Sequence, residues 1–198
     1  MGKAVLFDAL LPGSGHLYAG YKSGWINLGV EGLTWIAYFY YHGQGTSKED
    51  EYIAYADSNW SYQAWLDSGC PECYPGSDAD SLIRYFEQNN RQHYYEDIGK
   101  LSTYWEGWSD YNAAGNGDSA ERRYYYGMRN DSNKDLHNAQ YALMVGFVNR
   151  IVAVVDIVRL MKKAPKVNVG NGTSLSFNVH TKPFSQDNAF GVRITKKI

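Results

Sequence analysis

The chain has 198 residues, with 19 lysines and arginines against 21 aspartates and glutamates and a formal net charge of −2. This length fits one domain, or one domain with a short appendage, and the near-neutral charge excludes a generally basic nucleic-acid-binding protein. Two cysteines are too few for a disulfide-stapled mini-domain or a multi-cysteine zinc module.

The opening segment combines a short apolar run with a glycine-rich turn. Residues 4–11 are mainly apolar, but the run is short and lacks an A-x-A site, so we expect no conventional signal peptide there. The sequence LLPGSGHLYAG then predicts a tight, kinked turn between a short helix and a long one. The structural candidates in this motif are Pro12, Gly13, Gly15, His16, Tyr18 and Gly20.

Two apolar segments predict two further helices. The first covers residues 25–41 and the second residues 139–161, and the longer one is long enough for a helix of about 30 Å, the thickness of a membrane's hydrocarbon core, at about 1.5 Å per residue. A helix that is apolar on most sides is either the core helix of a soluble domain or a membrane span. Both interpretations stay open, because the polar and charged residues of the second segment would be costly in lipid.

Each of these predicted helices carries a narrow polar stripe. Asn27 and Glu31 are four residues apart, and Asn149 and Asp156 are seven apart, so each pair shares one face of its helix. In hydrocarbon such groups should face a partner helix. We therefore expect an apolar two-helix hairpin in which Glu31 pairs with Arg150.

Charge is divided unevenly along the chain. Residues 42–137 hold 17 acidic and 8 basic residues, whereas the rest of the chain holds 4 acidic and 11 basic ones. If both apolar segments span a membrane, the positive-inside rule places the termini on the cytoplasmic side and the acidic insert in the periplasm or outside. The basic cluster after the second segment consists of Arg159, Lys162, Lys163 and Lys166.

The opening motif resembles that of the TM2 domain, a two-helix membrane hairpin that has a glycine-rich box with His and Tyr and an Asp in its second helix. The insert of about 97 residues departs from that domain, which has a short connection there, and the His-x-Tyr spacing is one residue shorter. The residues that match are Gly15, His16, Tyr18, Gly20, Gly24 and Asp156.

Over most of residues 5–160 the chain is more similar to an uncharacterised bacterial envelope family with the opening LPGxGHLYxG. This family has no assigned activity, so the resemblance implies an architecture and a membrane-associated envelope location. The further motifs that carry it are Tyr55-Ala56-Asp57-x-x-Trp60, Tyr95-Glu96-x-Ile98-Gly99-Lys100, Gly107-Trp108-x-Asp110 and Met128-Arg129-x-x-Ser132-Asn133.

The acidic insert is predicted to be helical. Apolar and aromatic residues recur at helical spacing over residues 50–65, 81–95 and 94–111, and Ser119 can cap a further helix through Met128. The aromatic residues fit a core built from Tyr and Trp. They also fit a surface that binds sugar or peptide by stacking.

Cys70 and Cys73 form a single C-x-x-C motif in a predicted loop. A local disulfide in an oxidising compartment is the favoured interpretation, and inert thiols or a metal or redox site are alternatives. Two cysteines supply only two of the four ligands that zinc needs.

The tail after residue 164 alternates apolar and polar residues, which predicts a short C-terminal β-hairpin with its turn at residues 183–188.

Together these patterns predict a mainly α-helical protein in four parts. The parts are 1–41 (turn box and first apolar helix), 42–137 (acidic aromatic insert), 138–163 (second apolar helix) and 164–198 (β tail). No known catalytic or phosphate-binding motif is present, so we expect no enzyme activity, cofactor or metal.

The function we expect is a structural or assembly role in a membrane-associated bacterial envelope protein, with membrane lipid and other protein subunits as partners and no nucleic acid. The alternatives are a soluble or peripheral domain that binds through its Tyr and Trp surface, and a thiol–disulfide protein.

Overall fold

The computed structural model describes residues 2–112, 117 and 119–163, and the backbone alone of residues 167–168, 173–180 and 189–196. The protein is mainly helical, as the sequence predicts. The helices are α1 (Gly2–Leu10), α2 (Ser14–Tyr18), α3 (Gly24–Asn59), α4 (Tyr62–Asp67), α5 (Asp78–Asn89), α6 (Arg91–Lys100), a 3-10 helix (Ser102–Gly107) and α7 (Ala120–Lys162).

Helices α3 and α7 are longer than the sequence pattern indicates. The predicted boundaries after residues 41 and 137 lie inside continuous helices of 36 and 43 residues. Gly43 and Gly45 lower helix propensity without removing a backbone hydrogen bond, so packing can offset their cost of about 1 kcal/mol each. Gly45 provides such packing, because a Cβ there would lie 2.7 Å from the Leu136 side chain.

The chain forms two compact units. The terminal unit consists of residues Met1–Trp35 and Leu143–Ile198, and the central unit consists of residues Ile36–Ala142. Helices α3 and α7 each contribute to both. All 17 acidic and 8 basic residues of the predicted insert fall in the central unit.

The central unit has a core of buried Trp and Tyr side chains. Their polar atoms find backbone partners: Trp60 Nε1 donates to the Tyr104 carbonyl at 2.9 Å, Trp65 Nε1 to the Thr103 carbonyl at 2.6 Å. Such rings supply apolar area while keeping their hydrogen bonds. The core comprises Tyr52, Ala56, Trp60, Trp65, Cys73, Ile83, Tyr95, Ile98, Tyr104, Trp108 and Tyr125.

Two short helices of the central unit begin at specific N-caps. Residues 81–95, which the sequence pattern joins into one helix, are divided between α5 and α6 at Asn90. The Asn90 side chain accepts a hydrogen bond from the His93 amide at 3.2 Å, and Ser77 caps α5 through the Asp80 amide at 3.0 Å. These are ordinary N-cap interactions for Asn and Ser.

The tail has three backbone strands, β1 (Val167–Asn168), β2 (Thr173–His180) and β3 (Ala189–Lys196), in the order β1-β2-β3. Strands β2 and β3 are antiparallel, with Phe177 opposite Val192. The predicted turn at residues 183–188 lies outside the described residues, and the C-terminal β-hairpin stays a prediction.

Candidate functional site

The glycine-rich motif brings helices α1, α2 and α3 into backbone contact. Gly13 has a left-handed backbone conformation with φ of 91°. A Cβ at Gly13 would overlap the Gly24 carbonyl, and one at Gly15 would overlap the Ala4 carbonyl. Both positions therefore require the smallest residue. Gly20, with φ of 85°, ends α2, and the following amide of Tyr21 donates to the His16 carbonyl at 2.8 Å.

This close approach encloses an acidic side chain from α1. Asp8 is fully buried. Its Oδ1 accepts hydrogen bonds from the amides of Gly13 and Gly15 at 2.8 and 2.9 Å. A buried carboxylate is stable only with such donors, so the turn and the side chain depend on each other.

His16 connects this carboxylate to helix α7. The imidazole is fully buried, with Nδ1 2.6 Å from Asp8 Oδ2 and Nε2 3.2 Å from Asp156 Oδ2. The Asp156 side chain is 46% exposed. The Nε2–Asp156 contact is a hydrogen bond, whereas Nδ1 and Asp8 Oδ2 lie at ion-pair distance without hydrogen-bond geometry, so the imidazole lies between two carboxylates. The Asp8–His16–Asp156 cluster thus joins three helices of the terminal unit.

A second polar contact joins α3 to α7. Arg150 Nη2 lies 2.7 Å from Oε1 of the buried Glu31, and Asn149 Nδ2 donates to the Asn27 carbonyl at 3.0 Å. Trp35 Nε1 donates to the same Glu31 oxygen at 3.1 Å. The polar groups of both helices therefore face each other.

The other faces of these helices carry exposed apolar side chains. In α7, residues 143–155 expose most of their apolar side chains, and residues 25–33 of α3 do the same. We call this set the outer apolar surface. Its members, each at least 41% exposed, are Trp25, Ile26, Leu33, Leu143, Met144, Val145, Phe147, Val148, Ile151, Val152 and Val155.

Within the described residues, one helix is long and apolar enough to cross a membrane. It is α7, and only 28% of its most apolar 18-residue stretch is buried. Helix α3 does not meet the same criterion, although residues 25–41 were predicted as the first apolar helix of the hairpin.

The structure brings together most of the residues singled out in the sequence. Gly13, Gly15 and His16 lie at the Asp8 cluster with Asp156, and Glu31 faces Arg150. Pro12 is buried beside the turn, whereas Tyr18 is exposed and makes an edge-to-face contact with Phe7, with the ring centroids 5.2 Å apart. Asp8 was not among the residues predicted from the sequence. A single acidic residue inside an apolar run, shortly before a glycine-rich turn, was the available signal.

The structure also describes the two cysteines and the aromatic rings of the central unit. The sulfur atoms of Cys70 and Cys73 lie at disulfide distance, with Cα atoms 5.0 Å apart. Most of the Trp rings are buried, and the large aromatic side chains that the unit exposes are mainly tyrosines or belong to α3.

Comparisons with protein-family models, with curated proteins and with solved structures gave no match.

Proposed function

We propose that the chain is a non-enzymatic, membrane-associated protein of a bacterial envelope, with a structural or assembly role. The observation that carries this proposal is the outer apolar surface, in which eleven large apolar side chains of α3 and α7, all among the described residues, are at least 41% exposed. Contiguous apolar patches of this kind are typical of lipid or protein contacts.

The arrangement of polar groups supports lipid as the surrounding medium. A soluble helical pair turns its apolar stripes inward and its polar residues outward. Here Glu31 and Asn149 are turned inward, and Val148 and Ile151 face out. Transfer of each exposed apolar side chain from water to hydrocarbon contributes roughly 1–2 kcal/mol, which favours membrane insertion.

Charge supports an orientation. Basic residues Arg159 and Lys162 lie in the last turn of α7, and the central unit carries a balance of 17 acidic to 8 basic residues. In this proposal the basic ends lie on the cytoplasmic side and the acidic central unit lies in the periplasm. A pair of cysteines at disulfide distance agrees with an oxidising compartment.

The structural role follows from how the buried polar groups are used. The Asp8–His16–Asp156 cluster and the Glu31–Arg150 pair each join separate helices of the terminal unit. We propose that they set the packing of the hairpin in lipid, where other subunits of a complex would contact the remaining apolar faces. The resemblance to the TM2 hairpin agrees with this role.

Brominated lipids test the proposal with the native chromophores. The full chain is reconstituted in vesicles whose acyl chains carry bromine, which quenches nearby tryptophan. Trp25 lies in the outer apolar surface and is 67% exposed. We expect strong quenching of the wild type and clearly weaker quenching of Trp25→Phe, because the most lipid-exposed indole is gone.

Trp105→Phe is the matched control, because Trp105 lies in the central unit beneath the Arg122 guanidinium, 3.9 Å from its ring centroid. Its removal should leave the quenched signal unchanged. Equal effects of the two variants, or release of the chain from membranes by alkaline carbonate, would contradict membrane insertion. Either outcome would favour a soluble domain.

A further inference from the structure

The loop between α4 and α5 holds both cysteines of the chain. Gly69 and Gly76, with φ of 71° and 87°, bound a turn in which the Cys73 amide donates to the Cys70 carbonyl at 3.1 Å. Ser77 Oγ donates to the Glu72 carbonyl at 2.7 Å. These hydrogen bonds constrain the turn in addition to the disulfide itself.

A third potential ligand comes from the 3-10 helix. The two sulfur atoms and a carboxylate oxygen of Glu106 all lie within 4.8 Å of one another. The sequence motif alone supplied only two ligands, so the fold adds a donor from more than thirty residues away in the chain.

Glu106 has an unsatisfied oxygen. Its Oε1 accepts a hydrogen bond from the Tyr111 hydroxyl at 3.1 Å, whereas Oε2 is buried without a hydrogen-bond partner. A buried carboxylate oxygen without a donor is unfavourable, and a cation beside it removes that cost. Cys70 and Glu106 lie at a surface pocket that is open to small solutes. Its lining consists of Cys70, Pro71, Glu72, Ser102, Thr103 and Glu106.

We propose that reduction of the Cys70–Cys73 disulfide opens a site for a divalent metal ion of the zinc class, with Cys70, Cys73 and Glu106 as ligands. Two thiolates favour zinc over harder cations such as magnesium. Three protein ligands leave the fourth tetrahedral position for water or an external ligand. The ligands all lie in the central unit, so the titration below tests the site without requiring membrane insertion.

A dithiol can serve as the reductant of the Cys70–Cys73 disulfide. The disulfide takes up two electrons and two protons and becomes two thiols, and the dithiol is oxidised to its own disulfide. Zinc then displaces the two thiol protons as both sulfur atoms coordinate it. The sulfur atoms separate from bonding distance to the spacing set by Zn–S bonds of about 2.3 Å.

Titration of the full chain with zinc and cobalt tests the site. The protein is reduced with tris(2-carboxyethyl)phosphine, freed of reductant without oxygen, and titrated by calorimetry. We expect one zinc ion per chain for the reduced protein, and none for the oxidised protein. Cobalt should give a sulfur-to-metal charge-transfer absorption in the near ultraviolet.

Glu106→Gln should weaken zinc affinity by at least about tenfold, because it removes an anionic ligand. Glu87→Gln is the matched control, since Glu87 is an exposed carboxylate of α5 that does not line this pocket, and the variant should bind zinc as the wild type does. Circular dichroism of the reduced chain verifies that it stays folded. Equal binding by oxidised and reduced protein, no binding by the folded reduced protein, or wild-type affinity in Glu106→Gln would each overturn the proposal.

Discussion

The terminal unit buries ionisable side chains and exposes apolar ones, whereas the central unit buries indole and phenol rings and carries most of the acidic charge. In the terminal unit the fully buried groups include Asp8 and His16, and Phe147 is 64% exposed. In the central unit the largest fully buried side chains are Trp65 and Trp108. One chain therefore uses two kinds of stabilisation.

The side chains that each unit buries are typical of different environments. The central unit follows the rule of soluble domains, in which large rings are removed from water and their polar atoms keep partners. Burial raises the pKa of Tyr104 to about 12, so this phenol stays neutral and can donate to the Ala79 carbonyl at neutral pH. The membrane proposal gives the terminal unit a different basis, in which interhelical polar contacts such as Glu31–Arg150 set the packing and lipid surrounds the exposed apolar side chains.

Replacement of one buried and one exposed tryptophan tests this contrast most strongly. Trp65→Ala should lower the free energy of unfolding of the central unit by about 3–5 kcal/mol, because it empties a fully buried site and leaves the Thr103 carbonyl without its donor. Trp25→Ala should change it by less than about 0.5 kcal/mol. Urea unfolding in mild detergent, followed by circular dichroism, measures both. Similar losses in the two variants would remove the contrast.

Two glycines of the terminal unit test whether its stability depends on close backbone contacts. Gly15→Ala should destabilise this unit by about 1–3 kcal/mol, because the added methyl overlaps the Ala4 carbonyl and displaces the amides that hold Asp8. At Gly29 a Cβ has open space, so Gly29→Ala should be neutral or stabilising by up to about 1 kcal/mol. Thermal unfolding in detergent micelles compares the pair. A stable Gly15→Ala variant would mean that the glycine contact is dispensable.

Hydropathy and spacing predicted the helical class and the inward direction of the polar stripes. The four-residue spacing of Asn27 and Glu31 was sufficient to place them on one face, and the structure sets that face against Asn149 and Arg150. These features depend on helical periodicity alone, which a single sequence contains.

The features that the sequence did not show depend on contacts between distant residues. Asp8 can be buried only because the left-handed conformation of Gly13 directs two backbone amides toward its carboxylate. Glu106 joins the two cysteines only through the folded central unit. The continuity of α3 through Gly45 also depends on a partner, since Leu136 packs where a side chain would otherwise be. Local pattern cannot supply such contacts.

The smallest expected effects come from two carboxylates of the central unit that respond to pH in opposite ways. Burial alone would raise the pKa of Asp80, but the Gly76 amide and the Tyr62 hydroxyl outweigh it and lower the pKa from 3.8. Asp80 therefore stabilises the fold above its unfolded pKa, and this contribution is lost as the pH falls through the folded value. Asp80→Asn should destabilise by about 1–2 kcal/mol at pH 7.

Asp97 shows the opposite shift, because burial raises its pKa. The charge of Glu96 also raises this pKa, whereas His93 lowers it. Its charged form is disfavoured in the fold, so Asp97→Asn should be more stable than the wild type at neutral pH. As the pH falls through the folded pKa of each carboxylate and below the unfolded value, both variants should approach the wild type, Asp80→Asn from below and Asp97→Asn from above. Urea unfolding at several pH values measures this convergence. Parallel curves for the two variants would show that these carboxylates contribute through packing and not through charge.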